Sequence, residues 1–148
     1  MAHPQTWPIH CELPVQWGDM DALGHVNHTV YIKWMETARM HYFDACGLSD
    51  SYKSTGIGPI LAAIEVDYLR PVVFGETIRV ETRMSRMGRT SFDMESRLIS
   101  VSESPEPVAK GIAKCVVYDY NTAKPAPLSD TLRSVIEAIE AGETTPPK

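Results

Sequence analysis

Between residues 28 and 46 the apolar positions recur at helical spacing. At 100° per residue, Val30, Tyr31, Trp34, Met35, Ala38, His41, Tyr42, Ala45 and Cys46 fall on one half of the cylinder, and Lys33, Glu36, Thr37, Arg39 and Asp44 on the other. Ile32, Met40 and Phe43 interrupt even the polar half. Such a helix needs cover around most of its circumference, more than one neighbouring helix gives, and a sheet curled around it would suffice. Asn27 is placed to cap its start and Gly47 to stop it in the left-handed conformation. His41, on the apolar half, is expected in the core.

The pattern then changes to alternation. Ile78, Val80 and Met84 alternate with Arg79, Glu81 and Arg83 over 77–85, and Phe92, Met94 and Leu98 with Asp93, Glu95 and Arg97 over 91–98, so each strand is expected to have one wet face. Residues 60–69 set Ile64, Val66 and Tyr68 against Glu65 and Asp67, with Pro71 ending that strand. In 108–120 the odd positions Ala109, Gly111, Ala113, Cys115 and Val117 are small, which lets a helix approach closely. Turn residues fall at Phe74-Gly75-Glu76, Met87-Gly88-Arg89 and Ser104-Pro105-Glu106-Pro107. A first strand is expected over 12–18, weakened by Pro14, and a last helix from Ser129 to Gly142 carries Leu132, Val135, Ile136 and Ile139 on one face. The order is strand, long helix, four antiparallel strands, short helix: an α+β domain with one sheet packed on one helix. A sheet with exposed edges tends to pair with a copy of itself, so a homodimer is expected.

With 148 residues, 43% hydrophobic and 22% charged, the chain is expected to form a single domain, its core spanning about 10–125 and residues 143–148 a flexible tail. No apolar run reaches the length of a membrane span; the longest, Ile57 to Ile64, is broken by Gly58 and Pro59. Met1 to Cys11 does not read as a secretion signal, which places the chain in the cytoplasm. Three widely spaced cysteines, Cys11, Cys46 and Cys115, form no C-x-x-C pair and are expected as free thiols. A net charge of −5 is the wrong sign for a nucleic-acid-binding surface.

Candidate chemistry concentrates between the first strand and the helix. Trp17-Gly18-Asp19-Met20-Asp21-Ala22-Leu23-Gly24-His25-Val26-Asn27-His28 holds two carboxylates and two histidines and runs into a helix N-terminus. That end presents unpaired N–H groups and partial positive charge, suited to an anion or to the oxyanion of a tetrahedral intermediate. Asp21 is close enough in sequence to face it. A carboxylate opposite such donors can hydrolyse an activated acyl group, attacking the carbonyl or activating water while the N–H groups hold the developing charge. Asp, Gly and Asn also build turns in any loop, and that structural alternative stays open here. So does a metal site of Asp21, His25 and His28, although no recognised ligand spacing supports it and no metal is expected.

Asp19-Met20-Asp21-Ala22-Leu23-Gly24-His25-Val26-Asn27, followed by Tyr31 and a helix ending near Gly47, resembles the signature of hotdog-fold acyl-CoA thioesterases of the 4-hydroxybenzoyl-CoA thioesterase type. The resemblance spans about residues 10–125, including Tyr68-Leu69-Arg70-Pro71 and the Ser91-Phe92 strand start. It implies a β-α-β-β-β-β subunit whose sheet wraps the long helix, and hydrolysis of an acyl-CoA to free acid and coenzyme A without a metal or redox cofactor. The family's catalytic aspartate falls on Asp21 and its oxyanion donor on the backbone N–H of His28. His25 matches a histidine many members carry, able to orient water or the thioester or to brace the loop. Asn27 and Tyr31 are placed beside the substrate. Assembly into homodimers, or into homotetramers as dimers of dimers, is implied as well, with the acyl chain between the helix and the partner's sheet.

Arg83, Arg86 and Arg89 cluster at the Gly88 hairpin, where guanidinium groups would suit the phosphates of coenzyme A. The resemblance matches Arg89 to such a position; Arg83 and Arg86 are added by proximity, and the opposing reading is a hairpin balanced by Glu81, Asp93 and Glu95. Glu36 is the competing catalytic carboxylate, because other hotdog thioesterases carry theirs on this helix. Two rival functions remain. Hydration of enoyl-CoA on the same fold sets Asp and His five residues apart, whereas Asp21 and His25 are four apart. The other is an acyl-binding dimer without turnover. No G-x-S-x-G, Walker or G-x-G-x-x-G motif is present.

Overall fold

The computed structural model describes residues 7–142, so the expected tail at 143–148 lies outside the described residues. The chain runs β1 (Ile9–Pro14), α1 (His28–Cys46), α2 (Leu48–Thr55), β2 (Ile57–Tyr68), β3 (Thr77–Met87), β4 (Ser91–Ser100), β5 (Glu106–Asp119), β6 (Lys124–Pro125) and α3 (Asp130–Glu140). The sheet order is β1-β3-β4-β5-β2, every pair antiparallel, with the short β6 added to the end of β5. Register shifts at Leu61/Ala63, Met84/Arg86 and Leu98/Ile99 are the irregularities that help a sheet curl. The α+β architecture expected from the pattern is the one observed.

α1 lies against the concave face of the sheet. Asn27 caps it by accepting from the Thr29 N–H at 3.0 Å, and Gly47 ends it at φ 92°. Tyr42, Met35, Phe92, Met94, Ile78 and Leu98 are among the largest fully enclosed side chains. The small inner positions of β5 act as expected: a Cβ on Gly111 would lie 2.9 Å from Met35 Sδ, and Ala109, Ala113, Cys115 and Val117 are buried. Burial pushes the thiols of Cys46 and Cys115 up to about 11; both are free, as is Cys11.

Several expectations are corrected. The first strand is Ile9–Pro14, not 12–18: Pro14 closes it, and the chain then makes a 3₁₀ turn at Trp17–Asp19 with Asp19 Oδ2 accepting from the Gln16 N–H at 2.8 Å. The helix α2 was not expected, because its eight residues bury Leu48 alone and leave no apolar stripe to read. β2 begins at Ile57, earlier than 60–69, its Gly58 pressed against Tyr52 and its Pro59 tolerated because the strand is at the sheet edge. His41 is exposed, whereas Arg39 is 6% exposed and Phe43 is buried. The buried face of α1 is therefore rotated from the half-cylinder of the wheel: Phe43 meets Phe92 of β4 edge to face at 6.1 Å, and Arg39, about 40° from it around the helix, is drawn in beside it.

The outer face of β3 and β4 is also drier than alternation predicts. Arg97 Nε donates to Glu81 Oε1 at 2.9 Å, Arg83 Nη2 to Glu95 Oε2 at 2.6 Å, and Trp7 lies against both guanidinium groups at 4.3 and 4.6 Å from its ring centre. Beyond the sheet, Ser129 caps α3 through the Leu132 N–H, and Glu140 fastens that helix by accepting from Tyr42 Oη at 2.5 Å and the Met84 N–H at 2.9 Å.

Candidate active site

The segment joining β1 to α1 folds back on itself. The Asp21 N–H donates to the His25 carbonyl at 2.8 Å and the Gly24 N–H to the Asp21 carbonyl at 3.1 Å, with Gly24 at φ +82° where a side chain would be strained. The loop is pinned at its far end by Val26 N–H to Val72 O at 2.8 Å and Asn27 N–H to Asp19 O at 2.9 Å. The two acidic residues of the motif have separate jobs. Asp19 braces the 3₁₀ turn, whereas Asp21 is half-buried and its Oδ1 accepts from the N–H groups of Leu23 at 2.9 Å and His25 at 3.4 Å. Asp21 Oδ2 carries no hydrogen bond among the described residues.

Asp21, His25, Val26, His28, Tyr31, Tyr68, Leu69, Arg70 and Pro71 line one open cleft of about 400 Å³. Four of the positions singled out from sequence, Asp21, His25, His28 and Tyr31, thus meet in one place. Asn27 stands at its edge as the helix cap. Because Asn27 Oδ1 takes the Thr29 N–H and the Asn27 carbonyl takes the Val30 N–H at 2.9 Å, the first-turn donors are satisfied except one. The backbone N–H of His28 has no acceptor among the described residues, at the positive end of a 19-residue helix.

Aromatic rings form the opposite wall. Tyr68 Oη donates to the His28 carbonyl at 3.1 Å, Tyr31 Oη to the Arg70 carbonyl at 3.2 Å, and the two rings meet edge to face at 5.0 Å. Burial raises both phenols above their usual range, so they remain neutral donors. The Leu69–Pro71 stretch is held by Arg70, which pairs with Glu76 at 2.8 Å and Glu106 at 3.0 Å and donates to the Pro71 carbonyl at 2.8 Å. Glu76 also accepts from Ser100 Oγ at 2.6 Å and the Val73 N–H at 2.7 Å. Burial alone would raise its carboxyl, but Arg70, Ser100 and the Val73 N–H together hold it below the usual glutamate range. Sequence reasoning noted Tyr68-Leu69-Arg70-Pro71 only as part of a resemblance; the wall they build with Glu76 depends on contacts across the sheet that no local pattern displays.

The three arginines do not converge on this cleft. Arg83 is engaged by Glu95 and Trp7 and lines a second cleft, on the outer face, with Glu65, Asp67 and Lys110. Arg86 is held by Asp93 at 2.9 Å and donates to Ser91 Oγ at 3.1 Å. Arg89 is exposed, and its side chain makes no bond among the described residues. The hairpin stands at the Ser91 end of β4, while Ser100, bonded to Glu76 beside the cleft, marks the other end, about 30 Å away at the rise of a strand. Glu36 is exposed and outside the cleft.

A family model described as "Thioesterase-like superfamily" matches residues 15–136. The long-chain acyl-CoA thioesterase FadM of Escherichia coli is 25% identical over 134 residues, covering 88% of this chain and 98% of that one. A thioesterase from Thermus thermophilus, solved with coenzyme A and Zn, is 33% identical over 91% of this chain and 96% of that one, with a TM-score of 0.80. A 4-hydroxybenzoyl-CoA thioesterase mutant solved with 4-hydroxybenzoyl-CoA shares the fold at a TM-score of 0.79 and 18% identity, over 86% and 97% of the two chains.

Proposed function

Since the chain belongs to the thioesterase-like superfamily, it is a thioester hydrolase of the acyl-CoA class with the hotdog fold, and we propose that Asp21 and the His28 N–H are its catalytic pair. The observation that carries this reading is their presence in one cleft, each with its reactive atom unbonded: Oδ2 of Asp21 and the first-turn N–H of His28. The thioester carbonyl oxygen accepts from the His28 N–H, which the helix start presents without reorganisation as negative charge builds. Asp21, its Oδ1 fixed by the loop, uses Oδ2 to attack the carbonyl carbon or to take a proton from the attacking water; either route breaks the C–S bond, adds water across it and releases acid and thiol. His25 orients the water or the thioester from the same loop, and Asn27 keeps the donor in place by capping its neighbour. Tyr31 and Tyr68 supply a neutral aromatic wall, and among the described residues that line the cleft no second carboxylate competes with Asp21. The chemistry uses water and the chain's own groups, with no metal or redox cofactor.

The chain acts as a homodimer, singly or as a dimer of dimers, in the cytoplasm; no helix among the described residues is long and apolar enough to cross a membrane. Two features support self-association. Among the described residues β2 ends the sheet with one edge unpaired and with Ile60, Leu61 and Tyr68 exposed along it. Arg89 stands beyond the end of β4 that is away from the cleft of its own chain and makes no side-chain bond among the described residues, so in the proposed assembly it is assigned to a partner's cleft.

A panel of acyl-CoAs assayed for free thiol tests the assignment. Thiol release that Asp21→Asn reduces by on the order of 10²-fold or more supports it. Unchanged turnover removes Asp21 from the role, and loss of enoyl absorbance without thiol release shows a hydratase instead.

A further inference from the structure

Arg39 is a cation almost wholly enclosed in the protein, 6% exposed, and it makes no hydrogen bond or ion pair with any described residue. A buried guanidinium without a counter-charge is costly, and native proteins supply one. Its place in the fold shows where one could come from. Met35, one turn earlier on α1, packs on Gly111 of β5, and Arg39 follows it along the same flank, near enough to Cys115 to act on that thiol's charge. Cys115 is directly opposite Leu61 of β2, the edge strand. The flank of α1 that carries Arg39 therefore faces the open side of the sheet. None of the guanidinium nitrogens is among the fully enclosed unpaired polar atoms, so its tip is still reachable.

At 100° per residue, Ile32, Glu36, Arg39 and Phe43 lie within about 60° of one another on that flank. Glu36 is exposed and, like Arg39, has no partner among the described residues, although the two are three residues apart on one helix. An anion and a cation, both unpaired, side by side on a flank next to an unpaired sheet edge form a self-complementary set. In a two-fold dimer each residue that touches another is touched in return.

We propose that Arg39 of each chain is paired with Glu36 of the partner subunit, two reciprocal ion pairs per dimer, so that the buried cation of the central helix is neutralised only on assembly. This rests on the homodimer proposed above and names the groups that hold it together. Helix α1 also carries the catalytic N–H at its start, so the same pairs set the position of both active sites relative to the interface.

Sedimentation equilibrium decides the matter. Glu36→Gln changes an exposed side chain that the fold does not use, and the dimer dissociation constant should rise on the order of 30-fold or more. Glu36→Arg and Arg39→Glu each place like charges across the interface and within the helix, and each should be monomeric where the wild type is dimeric. Mixed in equal amounts, the two variants should form a heterodimer, since both contacts are then between opposite charges; a pair formed within one chain would gain nothing from mixing. Where circular dichroism shows Arg39→Glu unfolded, the cycle of Glu36→Gln, Arg39→Gln and the double variant replaces it, and additive effects on the dissociation constant overturn the pairing. A dimer that Glu36→Gln weakens less than twofold overturns it too, as does an Arg39→Gln variant whose only change is a raised KM, which would give the guanidinium to a substrate carboxylate. A wild type that stays monomeric at all concentrations overturns the homodimer itself, a result distinct from the others.

Discussion

Asp21 meets two demands with its two carboxylate oxygens. One closes the loop by accepting from Leu23 and His25, and the other, unbonded among the described residues, is the one proposed for chemistry. An asparagine keeps an oxygen for the loop and loses the charge, whereas an alanine loses both. Asp21→Asn should therefore keep the wild-type denaturation midpoint while turnover falls, and Asp21→Ala should in addition lose about 1 kcal/mol in urea unfolding, the net value of a hydrogen bond. Two equally destabilised variants would mean that the loop depends on the charge. The resemblance carried by Asp19-Met20-Asp21 points to Asp21, but the division between Asp19, which braces the 3₁₀ turn, and Asp21, which keeps one oxygen unbonded among the described residues, is a matter of which N–H groups the turn presents, and spacing does not carry that.

At the level of elements, close approach and ion pairing do most of the positioning. Gly111 admits Met35 where a Cβ would also meet the Glu65 carbonyl at 3.0 Å, a contact with rigid backbone on one side. Gly111→Ala should cost about 1–3 kcal/mol in denaturant unfolding as α1 is lifted from β5. The Arg70–Glu76 latch is sensitive to pH in a defined direction. Glu76 has its folded-state carboxyl held below the usual range, so its contribution is present above the ordinary glutamate value and is lost as pH falls through the lowered one. Glu76→Gln should thus cost about 2 kcal/mol at neutral pH, with the difference from wild type shrinking in acid when the two are unfolded side by side. The long helix, its caps, the four antiparallel strands and the last helix were legible because periodicity of 3.6 or 2 survives in their side chains. α2 was not, having one buried residue, and the first strand was displaced because Pro14 ends a strand as readily as it interrupts one. The burial of Arg39 and exposure of His41 reverse what hydropathy ranks, since cover by neighbouring elements and not residue type decides which flank of the helix is dry.

For the molecule as a whole, the informative feature is what the sheet leaves undone at β2. Ile60 and Leu61 are 36% and 44% exposed on a strand that, among the described residues, is paired with β5 on one side only. Leu61→Lys places a charge there without touching the enclosed core, and it should shift the protein toward monomer in size-exclusion chromatography with light scattering, with thioesterase activity falling in parallel. A variant that stays dimeric and active would move the interface elsewhere. The cleft itself was recoverable from sequence through Asp21, His25, His28 and Tyr31, whereas its second wall and its relation to Arg89 belong to topology.

Tyr68 stands both on this open strand and in the cleft, where it braces the first carbonyl of the helix. In the proposed dimer, whatever a second copy does to the strand is thereby communicated to the chemistry, and the rate per chain should cease to be a constant of the polypeptide. In progressively diluted stocks the specific activity should decay along the binding isotherm of the assembly, so a weak reading from a nanomolar assay would report dissociation before it reported a poor substrate.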